Sequence, residues 1–554
     1  MPSLFTYWNT LRHLRPTQFY WRLRSRIFQP PADLRPGPSL RALSRPGWAE
    51  PAHRDASMVG PARFRFLNES HDLTGHDWDD PGREKLWRYN LHYFDDLNAK
   101  DAGSRATWHR NLLNRWIDDN PPGTGTGWEP YPTSIRIVNW IKWALGGNLL
   151  PREAVHSLAV QARWLARRME HHLPGNHLFS NAKALVFAGL FFEGPEARAW
   201  LEQGLRILRR EVQEQILPDG GQFERSTLYH ALALEDMLDL CNLSSVFESA
   251  IALRWRPTIA LLREVTGPMR NWLAAMCHPD GEISYFNDAA KNIAPAPIEL
   301  ERYAARLGLH GRSAPGESLT HLAASGYVRV EWDGAVAILD VAPVGPDYLP
   351  GHAHADTLSF ELSLFGQRVL VNSGTSCYGL SDERSRQRGT AAHNTVVVDA
   401  KDSSEVWAGF RVARRARPHG LQIARNGAIL VRCSHDGYRR LRGKPEHLRE
   451  WSCTPSALMV EDRLSGSFGR AQARFHLHPS VTLERGGIDS GNESRVQLKL
   501  PHGQSVGFSI AGGRLRTEES TWHPEFGRSE PSICLAVDFD SPTLRTMLNW
   551  DDPA

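Results

Sequence analysis

The spacing of apolar residues changes period once along this chain, near residue 315. From residue 106 to 277 apolar side chains recur at three- and four-residue intervals over 106–118, 134–145, 152–171, 178–192, 195–216, 228–243 and 257–277, the period of amphipathic helices. Short breaks such as Asn120-Pro121-Pro122-Gly123 and Pro218-Asp219-Gly220-Gly221 divide these segments. Beyond residue 318 the period falls to two, over 326–332, 335–341, 358–364, 368–372, 395–399, 428–433, 458–462, 473–477, 533–539 and 543–548, with Gly, Asp and Pro turns between them. The switch predicts helices first and sheets second, an α+β multidomain chain. The helical part reads as a toroid or a solenoid of helical hairpins, and no fixed-period repeat supports a regular solenoid.

The 554 residues exceed one ordinary domain. The boundaries predicted are an arm and linker over 1–85, a helical domain over 86–315 and a β-sandwich over 316–554. The arm is basic and aromatic: Tyr7, Leu11, Leu14, Tyr20, Leu23 and Ile27 fall near helical spacing, with Arg12, Arg15, Arg22, Arg24 and Arg26 between them. Packing on the protein body is expected of it, with membrane docking the alternative. Residues 30–65, rich in Pro and Arg, read as an extended connection. No apolar stretch is long enough for a membrane span, and residues 1–29 hold no continuous apolar run of the kind a secretory signal needs. Sequence alone therefore reads as cytoplasmic.

A net charge of +3 carries no whole-chain attraction to nucleic acid, and no such partner is expected. The six cysteines form no CxxC pair, which argues against a cysteine zinc site and a disulfide framework. No GxSxG, Walker A or GxGxxG motif is present.

Chemistry concentrates in a few polar stretches. In Gly351-His352-Ala353-His354-Ala355-Asp356, ahead of a strand-like run, His352, His354 and Asp356 stand two apart and would share a face of an extended chain. They are either a site or solvated loop residues bonded to nearby carbonyls. Asn176-His177 opens a helix, where Asn suits the cap and the helix N-terminus suits an anion such as a carboxylate. Gln222, Glu224 and Ser226 alternate before a helix with Tyr229 in its first turn. Arg136 and Asn139 share a helix face beside Trp140, which suits either a sugar-binding face or an ordinary wetted helix. His354, Asn372 and His393 could converge on a metal ion. Arg384, Arg386 and Arg388 are either a solvated charge run or a clamp for an acidic substrate.

Taken together in their order, Asn176-His177…Asn181, Gln222…Glu224…Ser226…Tyr229, Gly351-His352-Ala353-His354-Ala355-Asp356…Ser359-Phe360, Asn372-Ser373-Gly374-Thr375 and His393-Asn394-Thr395 resemble the heparinase II/III-like family of polysaccharide lyases. The entry segment Leu11-Arg12…Leu14…Arg22-Leu23 and the run Tyr89-Asn90-Leu91-His92-Tyr93-Phe94 are similar to its exopolysaccharide- and capsule-associated branch. The resemblance implies an incomplete α/α toroid followed by an antiparallel β-sandwich, and β-elimination at a uronic acid of an acidic polysaccharide. By the same resemblance Asn176 holds the C6 carboxylate with His177 assisting. Tyr229 acts as base on C5–H, acid to O4, or both, and His352 is the second acid/base or carboxylate-neutralising group. Glu224, Tyr378 and Arg388, with Arg136, Asn139 and Trp140, are expected to bind substrate. No cofactor is expected for catalysis. The metal site some members carry would fall on His354, Asn372 and His393, as a structural zinc or calcium ion, with Asn372 where Asp is usual. The resemblance also implies a periplasmic location. A glycoside hydrolase, with Glu129, Glu224, Asp288 or Asp356 as carboxylates, and a non-catalytic polysaccharide-binding or assembly protein are the alternatives.

Overall fold

The computed structural model describes residues 3–43, 47–73, 75, 77–311, 318–332, 334–484 and 493–550. The boundary expected near residue 315 lies outside these residues. Helices do come first: α1 (Leu4–Leu11), α2 (Pro16–Ile27), α3 (Lys85–Tyr93), α4 (Ala106–Asp119), α5 (Pro130–Leu145), α6 (Arg152–Arg167), α7 (Asn176–Phe191), α8 (Pro195–Gln215), α9 (Thr227–Val246), α10 (Arg256–Ala275) and α11 (Pro297–Arg306). A small antiparallel sheet, β1 (Met58–Gly60), β2 (Arg63–Phe66) and β3 (Glu69–Asp72), interrupts the expected extended connection.

Two helices are buried along almost their whole length, and both end at the cleft described below. In α7 every residue from Leu178 to Phe191 is buried, and it packs against α5 and α8. Its sequence, LFSNAKALVFAGLF, is apolar on every side, as a helix surrounded by others must be. Helix α9 is buried despite Glu235, Asp236 and Asp239 because each carboxylate has a cation: half-buried Arg54 at 2.6 Å from Glu235, and buried Lys183 at 2.6 Å from Asp236 and Lys142 at 3.0 Å from Asp239. Buried charges persist only when paired in this way.

The C-terminal part is antiparallel throughout. A five-stranded meander holds β4 (Leu319–Leu322), β5 (Tyr327–Trp332), β6 (Ala335–Asp340), β7 (Phe360–Leu364) and β8 (Gln367–Leu370). A short helix α12 (Asp382–Arg388), strand β9 (Val396–Val398) and a hairpin of β10 (Val406–Trp407) and β11 (Arg411–Val412) follow. Then come β12 (Pro418–Asn426), β13 (Ala428–His435), β14 (Glu446–Thr454), β15 (Ala457–Ser465), β16 (Ala471–His476), β17 (Thr482–Glu484), β18 (Glu493–Lys499), β19 (Ser505–Ala511), β20 (Arg514–Trp522), β21 (Glu530–Phe539) and β22 (Thr543–Trp550). They form an eight-stranded sheet in the order β12-β13-β14-β15-β22-β19-β18-β17 and a four-stranded sheet β20-β21-β16-β9. Val431, Trp451, Val460, Phe475, Phe508 and Leu535 share one core with Val330, Phe360 and Leu362 of the meander.

Strands β4, β10, β11, β12, β14, β17, β18, β19 and β20 were not expected from the spacing. In β14 two of the buried positions hold His447 and Arg449 while Leu448 faces outward between them, so polar side chains on the core face hide the alternation that burial makes plain. Helix α6 ends at Arg167, four residues before the expected end. No helix among the described residues is long and apolar enough to cross a membrane.

The arm packs on the body, as expected of it. Trp407 Nε1 donates to Thr10 Oγ1 at 3.0 Å, Gln18 Nε2 donates to the Tyr348 carbonyl at 3.2 Å, and the Arg15 guanidinium lies 3.6 Å over the Tyr348 ring and pairs with Glu214. The arm thereby ties the helical part, through Glu214, to the 344–350 loop and the β10–β11 hairpin of the sheet part. Leu4, Phe5, Trp8, Tyr20, Leu23 and Ile27 remain exposed.

Candidate active site

A cleft of about 1800 Å³ runs between the helical and sheet parts, with the arm along one side. Asn176, His177, Glu224, Tyr229, His352 and Tyr378 all line it.

Each comes from an element held for a local reason. Asn176 and His177 are the first residues of α7, after Gly175 at the cap. A Cβ at the cap would press on the Leu349 side chain and come within 3.1 Å of Glu224 Oε1, so glycine lets the loop and Glu224 approach the start of α7 closely. Asn176 Nδ2 donates to the Tyr131 hydroxyl at 3.0 Å, and the His177 ring stacks on Tyr131 at 4.4 Å. His177 Nδ1 bonds Glu170 Oε1 at 3.0 Å, while Asn181, one turn along α7, donates to Glu170 Oε2 at 3.1 Å. Burial would lower the His177 pKa, but the Glu170 carboxylate outweighs it and raises the value, because a carboxylate in contact stabilises the imidazolium.

Ser226 caps α9: its hydroxyl accepts from the Tyr229 N–H at 3.2 Å and donates to the Asp288 carbonyl oxygen. That cap fixes Tyr229 in the first turn. The Tyr229 ring lies 3.8 Å from the His352 ring at an interplanar angle of 31°, and the two phenols of Tyr229 and Tyr378 share a hydrogen bond of 2.8 Å. Burial, then the neighbouring Tyr378 and Asp288, raises the Tyr229 pKa well above that of free tyrosine. The lowered value that base work would want is therefore not found, and Tyr229 is a protonated phenol.

Asp288, in the loop between α10 and α11, organises the rest. His352 Nδ1 bonds its Oδ2 at 2.9 Å, His354 Nε2 bonds its Oδ1 at 2.8 Å, and Arg384 of α12 contacts both oxygens, Nη2 to Oδ2 at 2.7 Å. Burial works against ionisation of this carboxyl, but Arg384 and the two imidazoles hold its pKa well below the usual range. An ionised Asp288 accepts the Nδ1–H of His352 and leaves Nε2 as the lone-pair nitrogen, 3.6 Å from Glu224 Oε2. That Glu224 oxygen is buried without a hydrogen-bond partner, and burial raises the Glu224 pKa.

His352 and His354 do share a face, directed at the one aspartate. Asp356 points to the adjacent Asn287, whose N–H it accepts at 3.0 Å. Sequence reasoning assigned neither Asp288 nor Arg384 this role. The signal available was Tyr285-Phe286-Asn287-Asp288, polar residues that follow a buried aromatic pair in a loop.

Four substrate-binding expectations are corrected. Arg136 is fully buried, lies 3.8 Å over Trp116 and donates to Gln161 Oε1 at 3.0 Å. Asn139 donates to the Tyr93 carbonyl at 2.9 Å and to Asp95 at 2.7 Å, and Trp140 is fully buried against Phe94 and Trp116. The shared face of α5 meets other aromatics rather than sugar. Arg388 is also fully buried, with its guanidinium on the carbonyls of Ala353 and Ala408. It braces the loop that carries His352.

The expected metal ligands meet but do not converge. His393 turns Nε2 to His354 Nδ1 at 3.3 Å and Nδ1 to Asn372 Oδ1 at 3.2 Å. Its two ring nitrogens face in different directions, so His354 and Asn372 sit on opposite edges of the ring. Among the described residues no cluster of three His, Cys, Asp or Glu side chains fits a metal ion. The donor set does not fit one ion, and no chemistry below is routed through a metal.

Comparison with known proteins bears on this geometry. Residues 98–299 match the family model described as heparinase II/III N-terminus, and 314–551 the model heparinase II/III-like, C-terminal. The chain is 28% identical over 374 residues to a heparin-sulfate lyase of Bacteroides stercoris, 63% of this chain and 52% of that protein. It thus spans about half the length of this relative. It is also 25% identical over 467 residues to FtsZ-localized protein C of Caulobacter vibrioides, 78% of this chain and 76% of that one. The crystal structure of heparinase III shares the fold, with a TM-score of 0.69 at 18% identity over 97% of this chain and 89% of that one.

Proposed function

Because the chain belongs to the heparinase II/III-like family, we propose that it is a polysaccharide lyase that breaks a uronic-acid-containing polymer by β-elimination in this cleft. The observation that carries the reading is a protonated phenol, Tyr229, in ring contact with an imidazole, His352, whose tautomer an ionised aspartate fixes.

The difficulty of the reaction is the C5 proton, acidic only when the neighbouring C6 carboxylate is neutralised. Asn176 and His177, at the N-terminus of α7, are suited to that oxyanion, His177 as its imidazolium. His352 Nε2 takes the proton from C5, and the electron pair left behind forms the C4=C5 double bond. The C4–O4 bond breaks, its electrons stay on O4, and the Tyr229 phenol supplies O4 with a proton. The histidine becomes an imidazolium between Asp288 and Glu224, both placed to stabilise the new charge. Each positioned proton transfer is worth roughly 10²–10⁴ in rate. A hydrolase using paired carboxylates fits less well, because Asp288 is fully buried and committed to Arg384.

A second reading is a protein that binds the polymer and leaves it intact; one relative similar over most of both chains is named for its localisation and not for lyase activity. Absorbance of the C4=C5 double bond, followed over a panel of heparan-type, chondroitin-type, hyaluronan, alginate and bacterial exopolysaccharides, separates the two. A rising signal supports the lyase. Retained binding with neither unsaturated product nor new reducing ends selects the binding protein.

A further inference from the structure

Half of the lysines and arginines that line the cleft already hold a carboxylate. Arg54 pairs with Glu235 at 2.6 Å, Lys85 with Glu129 at 2.9 Å, Lys100 with Asp55 at 2.7 Å and Arg415 with Asp347 at 2.6 Å. Three arginines at the arm end do not. Arg22 and Arg26 stand one turn apart on α2, Arg411 stands on β11, and all three line the cleft. Among the described residues none of them has a carboxylate partner; Arg22 is exposed, and partial burial of its guanidinium, then Arg411 and Arg26, lower its pKa.

The arm and the hairpin that carry these charges are joined to each other. Trp407 of the hairpin donates to Thr10 of the arm and its ring packs 5.1 Å from Tyr7. The Arg411 guanidinium rests 5.5 Å from the Trp407 ring, and its carbonyl accepts from Arg388 Nη2 at 3.4 Å. Arm and hairpin are thus one unit. Crowded guanidinium groups with no counter-charge are unfavourable, and an oxyanion between them removes the repulsion and gains bidentate hydrogen bonds. The place is also informative. Arg411 follows Phe410, whose ring lies 5.9 Å from His352 and 5.0 Å from Tyr378. Arg22 and Arg26 lie outside both stretches that match the family models.

We propose that Arg22, Arg26 and Arg411 form an anion subsite of the cleft that grips a carboxylate or sulfate on a sugar next to the one that reacts. The polymeric occupant rests on the lyase reading, but the subsite requires only that the cleft bind an acidic glycan. The arm would then be part of the substrate site as well as a strap.

Binding rather than turnover tests it, so that failure of the elimination reading leaves the result interpretable. The full chain is titrated calorimetrically with two probes, an unsulfated heparosan-type hexasaccharide and its sulfated counterpart, at two salt concentrations. R22Q/R411Q is expected to weaken binding at least tenfold and to flatten its salt dependence, with circular dichroism unchanged. Loss on both probes identifies a carboxylate as the bound group, and loss on the sulfated probe alone identifies a sulfate. R22K, which keeps the charge without the planar fork, is expected to fall between. Equal affinity and equal salt dependence of wild type and R22Q/R411Q on both probes overturns the subsite, as does absence of binding by wild type. Binding lost in the variant by a protein that generates no double bond would sink the lyase reading and leave the subsite standing.

Discussion

The rings of Tyr229 and His352 meet at a centroid separation of 3.8 Å, although one opens a helix of the N-terminal part and the other sits in a loop of the C-terminal part. In the proposed reaction acid and base are assembled only when the two parts dock. The phenol is raised well above its ordinary pKa by burial, so its place in the reaction is to give a proton. Tyr229→Phe removes that proton and the bond to Tyr378 while keeping the ring contact. It is expected to lower kcat by roughly 10²–10⁴ with little change in the melting midpoint. Turnover at the wild-type rate, followed as double-bond absorbance, would show that O4 is protonated by another group.

Asp288 gives a prediction with two readouts. Its oxygens accept from His352, His354 and Arg384 in a fully buried setting. Asp288→Asn leaves Arg384 as an uncompensated buried charge, a defect worth about 3–5 kcal/mol. It also releases the tautomer of His352, since an amide can offer Nδ1 a donor instead of an acceptor. Denaturant unfolding should show the loss of stability. The folded fraction should have lost roughly 10²–10⁴ in kcat, a deficit that a purely structural defect would not leave.

How much of this was legible follows from the distance at which each interaction acts. His352 and His354 are two residues apart, so their common direction can be read from the chain. Their common target, Asp288, lies 64 positions from the nearer histidine, and nothing in the spacing of an isolated acid announces that it will be gripped by two imidazoles and a guanidinium. The polar face of Arg136 and Asn139 was legible as a face, but not what it faces: α5 packs on an aromatic wall of Tyr93, Phe94 and Trp116 that only the tertiary structure assembles. The helix-to-strand switch was plain because burial of whole elements writes a period into the sequence. Strand β14 escaped because two of its buried positions carry His447 and Arg449, which break the period.

Gly175 is where the helix carrying Asn176 meets the loop carrying Leu349. Gly175→Ala adds a methyl group that presses on Leu349 Cδ2 and Glu224 Oε1, and relief requires those side chains at the cleft to turn aside. Overpacking of this kind costs about 1–3 kcal/mol. It is expected to raise KM as well, because the same crowding moves the N-terminus of α7 against the cleft. Thermal unfolding and Michaelis analysis of the one variant check both effects. A drop in stability with KM unchanged would detach Asn176 from substrate binding.

The charge on His177 sets a pH dependence of defined sign. Its folded pKa is raised above 6.5, against burial, by Glu170 at 3.0 Å, with Glu224 and Glu129 adding to it. The stabilising ion pair is fully present below 6.5 and is lost as pH rises through the raised folded value. The same deprotonation removes a cation from the carboxylate site, so KM is expected to climb over that window on the alkaline side of 6.5. Glu170→Gln should bring the rise in KM to lower pH, and His177→Gln should abolish the transition. A KM that is level through this range in the wild type would remove His177 from carboxylate recognition.

Arg136 separates cleft from core. Its guanidinium is packed on Trp116 and donates to Gln161, to the His92 carbonyl at 3.3 Å and to Thr133 Oγ1 at 3.5 Å. No carboxylate is among its partners, and burial presses its pKa well below that of a free guanidinium. Arg136→Ala therefore opens a cavity beside Trp116 and strands the buried His92 carbonyl and Gln161 amide oxygen. Each orphaned acceptor costs about 1–3 kcal/mol, and loss of the long side chain adds to this. The variant is expected to be destabilised by several kcal/mol in urea, while KM measured well below its unfolding midpoint stays at the wild-type value. A sugar-contacting arginine would behave in the opposite way, raising KM with stability intact, so the pair of measurements decides which role the residue has.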